Sequence, residues 1–151
     1  MEKYYRFCGI ELLFDLPAER MEEDELWLKP FAVSEVTDPH IYRFRIVSEL
    51  TPPRGAVVME TPRSRIYRDG ETTMQYSQLR GDARETIGYC IVSCGREHRV
   101  ELPDCRYTRQ IGFHFVLNCL DTLHLVAQAG GFVFHCSYVE HQGKEIGRAH
   151  V

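Results

Sequence analysis

Apolar and polar residues alternate through most of the first hundred positions, the spacing of half-buried strands. From Arg6 to Leu16, Cys8, Ile10, Leu12, Phe14 and Leu16 fall on one side and Pro17 ends the run, which predicts a first strand. Leu26-Trp27-Leu28 and Phe31 to Val36 carry apolar residues around Pro30 and read as short strands packed on the first. In Ile41 to Val47, Tyr42, Phe44 and Ile46 oppose Arg43 and Arg45, a strand with one wet face. Thr51-Pro52-Pro53-Arg54-Gly55 breaks it, and Ala56 to Met59 starts another. Asp69-Gly70, between Arg65–Arg68 and Glu71–Tyr76, predicts a two-residue type I′ turn, because both central residues of that turn need positive φ. The polar Gln78 to Ala83, with Gly81 inside it, reads as a loop. Thr86 to Ser93 and Glu97 to Leu102 predict a second hairpin around Cys94-Gly95-Arg96.

The period then changes. Thr108 is placed to cap a helix from Arg109 to Ala129, stopped by Gly130-Gly131. Gln110, His114, Asn118, Asp121 and Gln128 make one narrow polar stripe, interrupted by Leu125, and most of the remaining positions, among them Ile111, Phe113, Phe115 and Leu117, are apolar, so the helix is expected to be mostly buried. Phe132 to Val139 follows as a strand with apolar residues on both faces, and His141-Gln142-Gly143-Lys144 reads as a turn with Lys144 in it. A hairpin turn calls for a second strand, yet few residues remain. The fold expected is α+β: an antiparallel, strand-rich region over 1–104, then one long buried helix and a first strand over 105–144.

Composition narrows the function classes. The 151 residues are 44% hydrophobic and 26% charged, ordinary for a globular chain with one core. A formal net charge of -4 argues against a nucleic-acid partner, which needs a dense cationic face. The six cysteines have no secretory signal before them, so reduced thiols and a cytoplasmic location are expected. Asn118, Asp121 and His124 interrupt the most apolar stretch, and no membrane span is expected.

Few residues carry chemistry on their own. The acidic Arg20 to Glu25 reads as a solvated turn, since its consecutive carboxylates point in different directions. Cys90, Cys94 and His98 are evenly spaced and raise a zinc reading, but no fourth ligand or close Cys pair accompanies them; buried small cysteines are the simpler expectation. His114 and His124 have no i+4 ligand partner on their helix and read as stripe or edge residues. There is no Gly-rich phosphate loop and no G-x-S-x-G elbow.

The segment from His135 to Lys144 resembles the HPr kinase-like proteins, bacterial kinases whose P-loop domain is related to phosphoenolpyruvate carboxykinase (PEPCK). In that family a His-x-x-x-Val/Ile strand, a short turn with Gly-Lys and a second apolar strand lead into the Walker A loop. His135 to Val139 and Gly143-Lys144 fit the first half of that order. Leu123 to Gly131, Phe7-Cys8-Gly9-Ile10 and Leu50-Thr51-Pro52-Pro53 are similar to a group of HPr-kinase-related proteins of gut bacteria. The diagnostic G-x-x-x-x-G-K-[ST] is absent: Tyr138 stands where its first Gly belongs, and Glu145 follows Lys144. Ile146-Gly147-Arg148-Ala149-His150-Val151 matches one reading frame of a common sequencing-library adapter, whose next triplet is a stop codon. Residues 145–151 are therefore expected to be a non-native tail.

The resemblance implies the first strand of a truncated PEPCK-like kinase domain, with the C-terminal kinase portion missing. ATP and Mg²⁺ would belong to the parent enzyme and no cofactor to this fragment, which should be inactive. His135 occupies the position of a family histidine close to the phosphates; a satisfied histidine in a buried strand is the competing reading. The open strand edge of such a fragment would favour poor solubility or a homo-oligomer. The alternative is a complete small non-catalytic binding or interaction module. The substrate of the parent kinase is not encoded in these residues.

Overall fold

The computed structural model describes residues 2–7, 9–17, 28–80, 86–105, 108, 122–131, 136–141 and 144–149. The chain divides into two units, Met1–Leu120 and Asp121–Val151. The first is a mixed eight-stranded sheet: β1 (Glu2–Phe7), β2 (Ile10–Asp15), β3 (His40–Val47), β4 (Ala56–Thr61), β5 (Ser64–Asp69), β6 (Thr72–Arg80), β7 (Thr86–Cys94) and β8 (Glu97–Pro103). Their spatial order is β1-β2-β3-β8-β7-β6-β5-β4. β3 runs parallel to both of its neighbours, and every other pair is antiparallel.

Side-chain alternation sorts this sheet into two faces. Tyr5, Leu12, Phe14, Tyr42, Phe44, Tyr89, Ile91, Val100 and Leu102 share one face and are buried. Phe14 is its centre, with ring centroids 5.3 Å from Tyr5, 5.8 Å from Tyr42 and 6.0 Å from Phe44. The other face is wetter over β1, β2, β3 and the start of β8. It carries the ion pairs Arg6 to Glu11, Arg45 to Asp15 and Arg43 to Glu97, all partly exposed and each worth little on its own.

Several local expectations are corrected. Arg6 to Leu16 is a hairpin, not one strand: Phe7 pairs with Ile10 around Cys8-Gly9. The alternation of Cys8 with Ile10, Leu12 and Phe14 continues in phase through the turn and hides it. Phe31 to Val36 is no strand. Lys29–Phe31 forms a 3-10 turn with Pro30 in its first positions, where the fixed φ suits a helical turn and the missing N–H costs nothing. Ala32 then makes a single bridge to Tyr5, and the Val33 N–H donates to the Tyr4 carbonyl, so this segment lies along the outer edge of β1. Leu26 and Trp27 lie outside the described residues, as does the acidic segment Arg20 to Glu25.

The β5–β6 turn is centred one residue later than expected. Asp69 pairs with Thr72, so Gly70 and Glu71 are the central residues, and Gly70 takes the positive φ of 59°. A one-residue slip exchanges the two faces of a strand. The observed register sets Met74, 3% exposed, opposite Tyr67. Gln78 to Arg80, expected as loop, continue β6 because each pairs with β7, at Gly88, Ile87 and Thr86. Here the ladder overrides polar composition. The hairpin around Gly95 and Arg96 forms as expected, with Cys94 opposite Glu97.

Mostly β is the class among the described residues, and a long buried helix is not seen among them. Of the helix expected from Arg109 to Ala129, Thr122–Gln128 (α1) is helical; residues 109–121, with His114, lie outside the described set. Its described C-terminal part is wet: Leu125 is buried, whereas Ala127 to Gly131 are exposed. α1 stops where expected. The Gly131 N–H donates to the Val126 carbonyl and the Gly130 N–H to the Ala127 carbonyl, a Schellman motif with Gly130 at φ 78°. The capping role given to Thr108 is also revised. Thr108 is itself helical and 1% exposed, and the Cys105 sulfur accepts its N–H at 3.4 Å.

In the second unit, β9 (Cys136–His141) pairs antiparallel with β10 (Lys144–Ala149). The expected lack of a hairpin partner is therefore corrected: most of the stretch expected to be a tail is strand, in register from Lys144 opposite His141 to Ala149 opposite Cys136. Lys144 opens β10 rather than sitting in the turn.

Candidate functional site

His135, the one site residue expected from sequence, lies outside the described residues. Of the proposed zinc set, β7 and β8 place Cys90 and Cys94 on one face of the sheet with Glu97 and Glu101, and His98 on the other with Ser93. Two thiols and an imidazole divided by a sheet cannot share one ion. Cys90 is buried and Cys94 exposed, so the expectation of two buried cysteines holds for Cys90 alone. His124 falls in α1. Among the described residues no group of three or more His, Cys, Asp or Glu side chains could hold a metal.

The structure instead brings together residues that the sequence left apart. Glu101, on β8, is 4% exposed. Its Oε2 accepts the Thr51 N–H at 2.7 Å, and its Oε1 accepts the Thr51 hydroxyl at 2.7 Å and Arg99 Nε at 2.8 Å. Arg99 Nη2 also donates to Thr51 Oγ1 at 3.1 Å, and the Tyr76 hydroxyl donates to the Thr51 carbonyl at 2.5 Å. Thr51-Pro52-Pro53 therefore does more than break a strand: it is tied across β6 and β8 through every polar group of Thr51. Beneath it, burial pushes the Cys90 thiol up to about 11, and the hydrogen bond with Tyr76 only partly opposes this. Burial, with Cys90 beside it, likewise raises the Tyr76 phenol above its ordinary range.

Next to this network an open cleft of about 380 Å³ is lined by Leu50, Pro53, Tyr67, Tyr76 and Tyr89, and by the polar Glu60, Arg63, Arg65, Ser64, Ser77 and Gln78 among others. Tyr67 and Tyr76 meet edge to face at 5.6 Å. Ser77 is buried, with its hydroxyl 2.9 Å from that of Ser64 and accepting Gln75 Nε2 at 3.0 Å. The β4–β5 turn at the rim is held by Thr61, whose Oγ1 accepts the N–H groups of Arg63 and Ser64.

A second polar chain lies on the opposite face. Ser93 Oγ is 2.9 Å from His98 Nδ1, and His98 Nε2 is 3.1 Å from His40 Nδ1. Tyr42 stacks on His98 at 4.2 Å. The order hydroxyl, base and orienting group is that of an activated nucleophile. The surroundings do not complete one, because Ser93 sits inside the β7 ladder between β6 and β8, where backbone N–H groups serve strand pairing and not an oxyanion. Its evident role is to join β3 to the β7–β8 hairpin.

No family model, curated protein or solved structure matches this chain. No helix among the described residues is long and apolar enough to cross a membrane.

Proposed function

We propose that the chain is the non-catalytic front portion of a cytoplasmic ATP-dependent kinase of the HPr kinase-like type, with ATP, Mg²⁺ and the phosphate loop belonging to the portion that follows. The observation that carries the reading is β9, a strand that starts directly after His135. A strand at this place, followed by Gly143-Lys144, is the first half of the order that precedes the Walker A loop in that family; β10 beyond Lys144 falls in the expected non-native tail and adds nothing to it. The Schellman stop at Gly130-Gly131, ahead of the hairpin, agrees with the resemblance of Leu123 to Gly131. As written the chain has no G-x-x-x-x-G-K-[ST], so tight ATP binding is not expected of it. His135 would stand near the phosphates of the full enzyme.

The test is to sequence the locus from source DNA through codon 144. An apolar strand and a P-loop within about 15 to 20 residues are the expected result; the full product should then bind ATP, and His135→Ala should slow phosphoryl transfer. A native stop after Val151 would remove the kinase reading. One observation favours a second reading, a small binding or interaction module. β4 is an edge strand whose outer side is uncovered among the described residues, with Val57, Val58 and Met59 each about half exposed.

A further inference from the structure

Arg63 stands out among the residues around the cleft. Its backbone is fully used: the N–H donates to Thr61 Oγ1 and the carbonyl accepts from the Gln78 N–H at 2.9 Å. Its guanidinium has no carboxylate partner among the described residues. The neighbouring Arg65 differs, pairing with Glu60 and reaching the Tyr67 hydroxyl at 3.5 Å. Ser64, Gln75 and Ser77 satisfy one another, and no buried side-chain polar atom of the described residues lacks a partner. The lining thus offers aromatic and aliphatic surface, the engaged hydroxyls of Ser64 and Ser77, and a cation with no carboxylate partner carried on a hydrogen-bonded turn. A cavity of about 380 Å³ falls within the range of small-molecule sites.

We propose that this cleft binds a small organic oxyanion, a carboxylate or a phosphomonoester on a flat apolar body. The Arg63 fork pairs two oxygens of the head group, which is the recognition a guanidinium performs and an ammonium does not. Leu50, Pro53, Tyr67 and Tyr76, which lie toward one face of the sheet, take the apolar body. A neutral ligand of the same shape gains nothing from Arg63, and a cation is repelled. The turn that carries Arg63 is already ordered by Thr61, so binding has to order the Arg63 side chain but not its backbone. The proposal does not depend on the kinase reading, because every residue in it lies between Leu50 and Tyr89.

The experiment is a ligand-observed NMR titration of the full chain with phenyl phosphate and benzoate, with benzyl alcohol and inorganic phosphate as controls. Saturable binding of at least one aromatic anion is expected, weakened at least about tenfold in Arg63→Ala and partly restored in Arg63→Lys. Binding of phenyl phosphate alone assigns a phosphomonoester, of benzoate alone a carboxylate, and of both a general oxyanion site. The Arg63 side chain takes no part in the turn, so Arg63→Ala should keep the parent's circular dichroism spectrum. The proposal is overturned if neither anion saturates, if Arg63→Ala leaves affinity unchanged, or if benzyl alcohol or inorganic phosphate binds as tightly as the aromatic anions.

Discussion

Replacing Glu101 by glutamine removes a charge and one acceptor while preserving shape, and the contacts of Glu101 set the size of the effect. The carboxylate receives three hydrogen bonds, one at Oε2 from the Thr51 N–H and two at Oε1. The amide can keep its oxygen at the two-bond side, which turns its NH₂ group toward the Thr51 N–H. An unmatched buried donor costs about 1–3 kcal/mol, and the two remaining bonds each lose the strength conferred by the negative charge, so Glu101→Gln should destabilise the fold by roughly 2–4 kcal/mol. Thr51→Val is the companion change; it removes both hydroxyl bonds, to Glu101 and from Arg99, but keeps the backbone donor, and should cost roughly 1–2 kcal/mol. Urea unfolding followed by circular dichroism gives both values, and their double mutant should fall well short of the sum because the two residues share a network. Amide exchange at Thr51 adds a local reading, since Glu101→Gln should lower its protection more than that of Val100. A loss under about 0.5 kcal/mol with Thr51 protection unchanged would refute the argument, because such a value is typical of a surface position.

Other outcomes follow from the same geometry. Phe14→Ala, at the centre of the aromatic cluster, should cost about 3–5 kcal/mol, and Phe14→Leu much less; equal losses in urea unfolding would count against the cluster. The Asp38 and Thr37 backbone N–H groups, then Arg6, hold the Glu11 carboxyl down at about 2, from an ordinary 4.5. A depressed carboxyl favours the fold above the unfolded value, so its contribution is intact above about pH 4.5 and is lost as pH falls toward 2; an NMR titration of Glu11 with a midpoint near 4.5 would contradict this. Cys94 should react with a thiol reagent at pH 8 at least about tenfold faster than the buried Cys90, as residue-resolved mass spectrometry would measure; equal rates would mean that β7 opens readily.

The parts of the fold that could be read from sequence were those whose cause is local. β3 showed its wet and dry faces, and the β7–β8 hairpin showed two strands around a glycine. The helix stop was legible because Gly130 and Gly131 do what glycines do at C-termini. What stayed hidden depends on partners distant in the chain. Glu97, Arg99 and Glu101 alternate as a wet face should, and nothing within β8 marks Glu101 as buried. Its burial comes from Thr51, fifty positions away. His40 and His98 are separated by 58 positions and meet only because β3 lies beside β8. The place of β3 between two parallel neighbours has no local signature either, since strand alternation is the same for either direction. Arg63 lies in a turn with no chemical motif, and its setting emerges only when the fold brings Leu50, Tyr67 and Tyr76 beside it.

The central position of β3 also bears on how the protein is made. The ribosome delivers β1, β2 and β3 first, and β3 can pair with β2 at once through a crossover. Its other neighbour, β8, is complete only at Pro103, after four intervening strands have emerged. Until then one flank of β3 is an unpaired strand carrying Tyr42 and Phe44, while β4 to β7 can zip locally as hairpins. Closing the sheet requires joining two preformed halves over a long stretch of chain, an entropically slow step that leaves hydrophobic surface open to other molecules. Slow synthesis or a pause before codon 103 should therefore raise aggregation, and a chaperone that shields the β3 flank should relieve it.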